Sequence, residues 1–321
     1  MTMRNCLWLI FPLTMIFVST LRADVVMNME IPRAAYMEYE PIVVNLTMRN
    51  NSGQVLIFGK EPQFKGHMEI SLTDMHNRPV KGSGTKVDLQ GLILRAGVDQ
   101  RIRINVSKWV QLYTPGNYRL KLFISHPMLK NEYESNTGMF QISRGRVFWT
   151  RSFGVPKLGD TANGKTEQRS YNLRALQDKG DVHLFLFVED KENIFSMKRL
   201  GFLLGREVPK CEIDSLNRLH ILLPVSPKIF HYQVFDWDGE REVNKVYRSA
   251  KQVPVLFRDT ASGSVRIVGG EAAQPGVDYT VEKLLPDNLP EAEPGSKTKP
   301  AAETKQSAPQ AAPQPVKAVK K

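Results

Sequence analysis

The first half of the chain alternates hydrophobic and polar residues over short stretches. The alternation is clearest at residues 101–106 and 119–124, where every second side chain is Ile, Leu or Val. Side chains two residues apart lie on one face of a β-strand, so each stretch predicts a strand with one buried face. Turn-forming residues recur about every ten to fifteen residues, and no long helical period occurs. Residues 24–143 are therefore predicted to form an antiparallel β-sandwich.

Two short motifs in this half resemble known β-sandwich families. Leu112, Pro115 and Tyr118 lead into the stretch at 119–124, and this arrangement resembles the tyrosine corner of immunoglobulin-like and fibronectin type III domains. Residues 38–44 resemble the opening strand of macroglobulin-type and other bacterial immunoglobulin-like domains. The resemblance covers about 100 residues. It implies an immunoglobulin-like fold used for adhesion, spacing or ligand binding, and it implies no reaction.

The second half repeats a turn that begins with aspartate. The repeat occurs at residues 190–193, 214–217, 236–239 and 259–263, with apolar runs between. An Asp side chain accepts hydrogen bonds from the amides that follow it, so each copy predicts a tight turn between strands. Residues 214–220 resemble the turn and strand of a β-propeller blade, but about 90 residues make only two blades and a propeller needs four. Residues 182–285 are predicted to form an antiparallel β-meander, as an open sheet, a small barrel or half of an oligomer.

Residues 144–181 are interpreted as a junction between the two β regions. The junction opens with a cationic aromatic strand at 144–151 and continues as a Gly- and Lys-containing loop at 154–168. Because an open meander leaves sheet edges exposed, we also expect a homodimer that forms through residues 182–270.

The two ends of the chain differ in composition from the β regions. Residues 1–23 place Arg4 before the uncharged apolar stretch 7–21, which is typical of a secretory signal peptide. An uncleaved anchor helix is the alternative, but the stretch is short and Pro12 interrupts it. Residues 286–321 contain seven Pro and seven Ala and predict a disordered tail. We therefore expect an exported protein, periplasmic or extracellular, with no transmembrane segment after cleavage.

The charge of the chain narrows the choice of partners. The formal net charge is +11. Residues 1–23 carry two Arg and no acids, and residues 286–321 carry six Lys and four acids, so residues 24–285 retain +7. A basic body favours anionic partners such as acidic glycans, envelope polymers or lipid surfaces. Basic runs do not exceed two residues, which argues against nucleic acid as the partner.

The chain carries no motif of a known catalytic or cofactor site. It has no G-x-S-x-G elbow, no HExxH helix, no Walker loop and no dinucleotide fingerprint. No two His lie within five residues of each other, although His220 and His231 would meet across a hairpin. Residues 236–239 match only the start of a calcium loop. We predict no catalytic residue, no metal and no cofactor. Whether acidic residues such as those at 38 and 40 or at 189 and 190 could form a two-carboxylate site for glycoside hydrolysis depends on the distances that the fold sets between them.

Aromatic side chains beside arginine are the best candidates for binding. Trp149 is flanked by Arg146 and Arg151, and Trp237 occupies a predicted turn. Flat rings stack on sugars, and guanidinium groups bind carboxylates and phosphates. These four residues form the predicted ligand-binding set, and packing between the β regions is the alternative role for each Trp.

The function predicted from these observations is non-enzymatic binding or scaffolding. The protein would recognise an envelope or extracellular glycan or protein through aromatic and Arg side chains on a β surface. The alternatives are a glycan-active enzyme or its accessory subunit, and a proteinase inhibitor that presents the loop 74–84.

Overall fold

The computed structural model describes residues 24–156, 166–205, 207–280 and Leu284. Within these residues the protein consists of β-strands and two short 3-10 turns, Pro62–Phe64 and Val106–Lys108, which confirms the all-β fold class. The predicted signal peptide at 1–23 and the predicted tail at 286–321 lie outside the described residues. In the described part of the chain, no helix is long and apolar enough to cross a membrane.

The strands fall into two consecutive groups. The first group is β1 (Val25–Glu30), β2 (Ala35–Met37), β3 (Val43–Asn50), β4 (Leu56–Ile57), β5 (His67–Asp74), β6 (Thr85–Asp88), β7 (Ile93–Leu94), β8 (Asp99–Asn105), β9 (Gly116–Ser125), β10 (Tyr133–Glu134) and β11 (Gly138–Ser143). The second group is β12 (Arg146–Pro156), β13 (Thr166–Asp178), β14 (Asp181–Glu189), β15 (Ile194–Phe202), β16 (Lys210–Ile213), β17 (Leu219–Ser226), β18 (Ile229–Phe235), β19 (Arg241–Arg248), β20 (Val255–Arg258), β21 (Val265–Val268) and β22 (Glu271–Ala272).

The first group forms two main sheets that pack face to face and a short two-stranded sheet of β4 and β7. One sheet has the order β1-β3-β8 and the other has the order β2-β11-β9-β5-β6, with β10 beside β9. Neighbouring strands are antiparallel except β2 and β11, which run parallel. Every second residue of β3 and β9 is buried, and these residues share one hydrophobic cluster. The predicted sandwich is therefore confirmed.

The hydroxyl of Tyr118 donates a hydrogen bond to the backbone carbonyl of Thr114 at 2.6 Å. Tyr118 lies near the start of β9, and its ring is buried and stacks on Phe140. A bond from a strand-opening tyrosine to a backbone group a few residues upstream is the interaction that a tyrosine corner makes.

The second group forms two further sheets in which consecutive strands pair antiparallel. Their orders are β12-β13-β14-β15 and β16-β17-β18-β19-β22, and β20 and β21 form a separate hairpin. Side chains from both sheets, among them Leu173, Leu186 and Ile221, share one hydrophobic cluster. Leu256 and Ile267 of the hairpin cover the opposite face of the second sheet. The predicted antiparallel β-meander is confirmed.

The run of buried residues along β14 follows from its position between two hydrophobic layers. Leu184 and Leu186 face the second sheet, whereas Phe185 and Phe187 pack against β2 of the sandwich. A strand covered on both faces needs apolar residues at every position. The carboxylate of Asp178 strengthens this junction, since it accepts hydrogen bonds from the amides of both Ala34 and Ala35.

The segment 144–181 differs from its interpretation as a junction strand and loop. It contributes β12 and β13, and β13 has thirteen residues. The outer face of β13 is polar, with the hydroxyls of Ser152 and Ser170 3.0 Å apart and Arg174 paired with Glu189. These cross-strand partners compensate for a face that lacks the usual apolar alternation. The predicted domain boundaries at 143, 181 and 285 stay predictions.

Candidate functional site

A cleft opens between the edge strands of the two second-group sheets. β12 is the outermost strand of one sheet and β16 is the outermost strand of the other. The cleft, here called the inner cleft, has a volume of about 380 Å³. It is lined by Trp149, Arg151, Ser152, Phe153, Cys211, Glu212, Ile213, Asp214, Asn217 and Arg258.

A β-bulge positions the tryptophan of the inner cleft. Val147 pairs with Arg174 and Trp149 pairs with Leu173, so Phe148 is the extra residue of β12. Phe148 and Trp149 consequently both pack against the hydrophobic cluster between the sheets, and both remain partly exposed. Bulges often redirect side chains in this way.

The inner cleft contains two arginines without carboxylate partners among the described residues. Arg151 extends from β12 and Arg258 ends β20, and both are exposed. Glu212 is half-buried beside them. The other acid, Asp214, is already neutralised because its carboxylate pairs with Arg218 at 2.7 Å. The cleft is therefore left with two positive charges and one negative charge.

Asp214 is fixed by its own turn. Burial alone would raise the pKa of its carboxyl, but hydrogen bonds from Arg218, from the ring of His220 and from the amide of Leu216 together lower that pKa. Asp214 therefore stays ionised and organises the wall of the inner cleft rather than exchanging protons there.

Cys211 lies among the lining residues as a protonated thiol. Burial, with a contribution from the charge of Glu212, raises the pKa of Cys211 to about 12. The thiolate is the nucleophilic form of cysteine, so this side chain acts as an apolar wall of the cleft.

The four residues predicted for ligand binding do not all come together. Trp149 and Arg151 line the inner cleft, whereas Arg146 is exposed at the start of β12 outside the lining set. Trp237 lies in the turn between β18 and β19 with 37% of its surface exposed. Its carbonyl accepts a hydrogen bond from Arg169, which also stacks on Phe195.

Sequence reasoning missed Arg258 and Glu212 as members of the cleft. Neither residue belongs to a motif. Arg258 reaches the cleft only because β20 folds back beside β16, which is a tertiary contact without a local signal. The binding role of the predicted set stays a prediction.

A second depression lies on the other face of the β12 edge. This outer groove has a volume of about 510 Å³ and is lined by Ser152, Glu167, Gln168, Ser170, Asn172, Glu189, Asp190, Lys191 and Glu192. Glu167 pairs with Arg169, and Glu189 pairs with Arg174. The unpaired charges are therefore Asp190 and Glu192 against Lys191, so the outer groove is net negative.

In the acidic pair at 189 and 190, Asp190 is unsuited to the role of general acid. Hydrogen bonds from the amides of Glu192 and Asn193 lower the pKa of Asp190. Glycoside hydrolysis needs one carboxyl with a raised pKa. Burial raises the pKa of Glu40, but that side chain is enclosed in the sandwich junction, where it pairs with Arg33.

The predicted pairing of His220 and His231 is wrong. The register of β17 and β18 sets His220 opposite Val234 and His231 opposite Leu223. The two side chains therefore lie on opposite faces of the sheet, because side-chain direction alternates along a strand. Across the described residues, no group of three or more His, Cys, Asp or Glu side chains is arranged to hold a metal.

The loop 74–84 is the candidate inhibitory loop of the proteinase-inhibitor alternative. Hydrogen bonds hold it against β5, the strand that it follows. The Asp74 carboxylate accepts hydrogen bonds from the amides of His76 and Arg78. The amide of Val80 bonds to the carbonyl of Leu72.

Comparison with known proteins adds little to this geometry. No protein-family model and no curated protein matches the chain. One similar solved structure is an uncharacterized protein from Listeria monocytogenes EGD-e, crystallised with α-D-glucose, β-D-glucose, magnesium and calcium. The similarity covers 67% of this chain and 18% of that chain, with 11% identity and a TM-score of 0.21. A TM-score of this size supports no conclusion about fold or function.

Proposed function

We propose that this chain is an exported, non-enzymatic binding protein that recognises a glycan or a protein through the inner cleft. The observation that carries the proposal is the convergence of Trp149 with two guanidinium groups, Arg151 and Arg258, that have no carboxylate partner in the described residues. The ligand would present an anionic group to the arginines and a flat or apolar surface to the ring.

The chemistry of the lining residues favours an anionic ligand. A guanidinium forms paired, charge-assisted hydrogen bonds with a carboxylate, sulfate or phosphate. Glu212 and Ser152 add a hydrogen-bond acceptor and a hydroxyl for neighbouring polar groups of the ligand. The net charge of +7 on residues 24–285 would also attract anionic ligands from solution.

The order of the sandwich strands supports an immunoglobulin-like assignment for the first group. β1, β3 and β8 correspond to strands A, B and E of that fold, and β11, β9 and β5 correspond to G, F and C. In this proposal the sandwich is a spacer or presenting module, and the second group of strands provides the binding cleft.

The proposal is tested by titrating the full chain with an acidic polysaccharide, a neutral polysaccharide, and acidic and neutral peptides. We expect at least one acidic ligand to bind at both low and high salt. Arg151→Ala should weaken that binding about ten- to hundred-fold, which is the usual effect of losing a hydrogen bond to a charged group.

Arg146→Ala is the matched control, because Arg146 is an exposed arginine of the same strand outside the inner cleft. It should leave the affinity unchanged. Equal losses for the two variants, or binding that disappears at high salt, would show a nonspecific cationic surface and would contradict the proposal.

A further inference from the structure

We propose that the ligand of the inner cleft is an extended peptide segment, which adds as a strand to the free edge of β12. This inference rests on the proposed function, because it uses the same cleft. The carrying observation is a juxtaposition: the free edge of β12 runs between two depressions of opposite charge, the inner cleft and the outer groove.

The unpaired backbone groups of β12 can be located from one hydrogen bond. The side-chain amide of Asn217 donates to the backbone carbonyl of Gly154 at 2.9 Å, so this carbonyl points away from β13. In an antiparallel strand the backbone groups of every second residue point the same way. The N–H and C=O groups of Thr150 and Ser152 therefore also point away from β13, and no strand in the described residues pairs with them.

Two structural features limit the length of this free edge. Asn217 occupies the carbonyl of Gly154 at one end, and the bulge at Phe148 interrupts the regular backbone at the other. The accessible edge is the short stretch from Thr150 to Phe153. This stretch offers the N–H and C=O groups of Thr150 and Ser152, which is enough to pair with one extended peptide of a few residues.

The two depressions lie where the side chains of an added strand would point. Ser152 lines both depressions, because it lies on the edge strand where the two faces of the sheet meet. Successive side chains of a strand point to opposite faces, so alternate residues of the peptide would enter the inner cleft and the outer groove. The outer groove, which Ser152 and Ser170 line, has a volume of about 510 Å³ and leaves room for a long side chain.

The charges of the two depressions determine which side-chain charges the bound peptide should carry. Arg151 and Arg258 in the inner cleft favour acidic side chains, and Asp190 and Glu192 in the outer groove favour basic ones. The partner is therefore a segment in which acidic and basic residues alternate. Pairing of β12 with a second copy of itself is less favourable, because both copies would bring Arg146 and Arg151 to the shared edge.

The test uses four capped seven-residue peptides and fluorescence anisotropy with the full chain. In the first peptide Asp alternates with Arg, and the second has the same composition in separate acidic and basic blocks. We expect the alternating peptide to bind at least ten-fold more tightly than the block peptide. The third peptide is the alternating sequence N-methylated at every Asp, and a fourth version is N-methylated at every Arg.

Strand addition predicts that one N-methylated version loses binding and the other keeps it, because only one set of peptide amides faces β12. Ser152→Pro should abolish binding, since it removes an outward N–H without removing a bond to β13. Hydrogen exchange on the unmodified protein provides a second readout that does not depend on a variant: the amides of Thr150 and Ser152 should gain protection when the peptide binds.

The outcomes separate this inference from the proposed function. If both N-methylated peptides bind as well as the parent and Arg151→Ala still weakens them, strand addition is overturned and the proposed function stands. If the chain binds no peptide but forms a dimer that Ser152→Pro dissociates, the edge belongs to a second copy and the peptide inference is overturned. If no acidic ligand of any class binds, the proposed function itself fails.

Discussion

Three buried histidines illustrate how strongly the environment of a single residue changes its chemistry. His183, His220 and His231 are almost fully buried, and burial is the main cause that lowers the pKa of each. Each ring bonds to a polar neighbour: Arg199, Tyr232 and Asn244, respectively. At neutral pH these three side chains are uncharged hydrogen-bonding groups within the packed sheets.

The effect of pH on stability follows from His183. Burial, together with the charges of Arg33 and Arg199, lowers the pKa of His183 to about 3. Between pH 6.5 and about 3 the unfolded chain binds a proton that the folded chain does not, so the free energy of unfolding falls as the pH falls. The slope from this residue is about 1.4 kcal/mol per pH unit. We expect His183→Gln, which cannot titrate, to make the decrease shallower by about that amount.

The measurement is urea unfolding at several pH values between 7 and 4, for the wild type, His183→Gln and a control variant. His76→Gln is the control, because His76 is exposed in the turn after β5. It should reproduce the wild-type curve. Parallel curves for His183→Gln and the wild type would show that His183 does not carry this pH dependence.

At the level of single residues, the sequence identified Trp149 and Arg151 but not their surroundings. Adjacent residues on one strand can be seen in a sequence, and these two do line the same cleft. The approach of Arg258 depends on how β20 returns across the second sheet, and no local pattern encodes that return. Trp237 does occupy a turn and is partly exposed, but it lies outside the inner cleft that Trp149 lines.

At the level of elements, the aspartate-led turns were the most predictable feature. Asp190, Asp214, Asp236 and Asp259 each accept hydrogen bonds from amides two to four residues later, and each turn joins two paired strands. The turn at 236–239 also has a packing role, because Gly239 lies against β14 and β15. A Cβ atom at Gly239 would stand 2.5 Å from the Cβ of Ser196.

A pair of glycine substitutions should separate this packing from backbone strain. Gly239 has φ +81° and Gly180 has φ +99°, so alanine is strained at both positions. Only Gly239 has neighbours that an added Cβ would strike, since nothing lies within 4 Å at Gly180. We expect Gly239→Ala to lower the free energy of unfolding by about 1–3 kcal/mol more than Gly180→Ala. Equal losses in chemical denaturation would mean that the turn does not pack tightly on the sheet.

The hydrogen bond of Tyr118 in the sandwich can be tested with a similar pair of substitutions. Tyr118→Phe removes the hydroxyl that bonds to Thr114 and keeps the buried ring. We expect a loss of about 1 kcal/mol in the free energy of unfolding, the usual contribution of one hydrogen bond. Tyr113→Phe is the control, because Tyr113 is 53% exposed and should change stability by less than about 0.5 kcal/mol. A loss no larger than that of the control would show that this bond does not stabilise the sandwich.

The strands that could not be predicted from the sequence are those whose polar side chains bond to residues of neighbouring elements. β13 falls within the predicted junction 144–181, because Arg169, Asn172 and Arg174 interrupt its apolar pattern, yet each finds a partner on an adjacent element. The bulge at Phe148 is invisible for a related reason: an inserted residue changes which face a side chain occupies, and only the partner strand reveals it. Alternation predicts strands well where one face meets solvent and the other meets the core.

At the level of the whole molecule, the two groups of strands are joined by a buried polar junction surrounded by apolar contacts. Asp178 accepts two amide hydrogen bonds from the sandwich and lies 3.4 Å from the Nε of Arg33. Met37 of the sandwich packs with Phe185 and Phe187 of the meander. These contacts indicate that the sandwich and the meander stabilise each other when the protein is folded.

Removing the carboxylate of Asp178 should uncouple the two groups. Asp178→Ala leaves the amides of Ala34 and Ala35 without their acceptor and removes one of the two ion pairs of the buried Arg33, which keeps Glu40. This loss should lower the free energy of unfolding by about 3 kcal/mol or more. In single-tryptophan chains, Trp109 reports on the sandwich and Trp149 on the second group of strands. We expect their unfolding transitions to coincide in the wild type and to separate in Asp178→Ala. Asp181→Ala, an exposed carboxylate of the same hairpin, should leave them coincident. If the transitions are already separate in the wild type, the junction does not couple the groups; if they still coincide in Asp178→Ala, the apolar contacts around Met37 are sufficient for coupling.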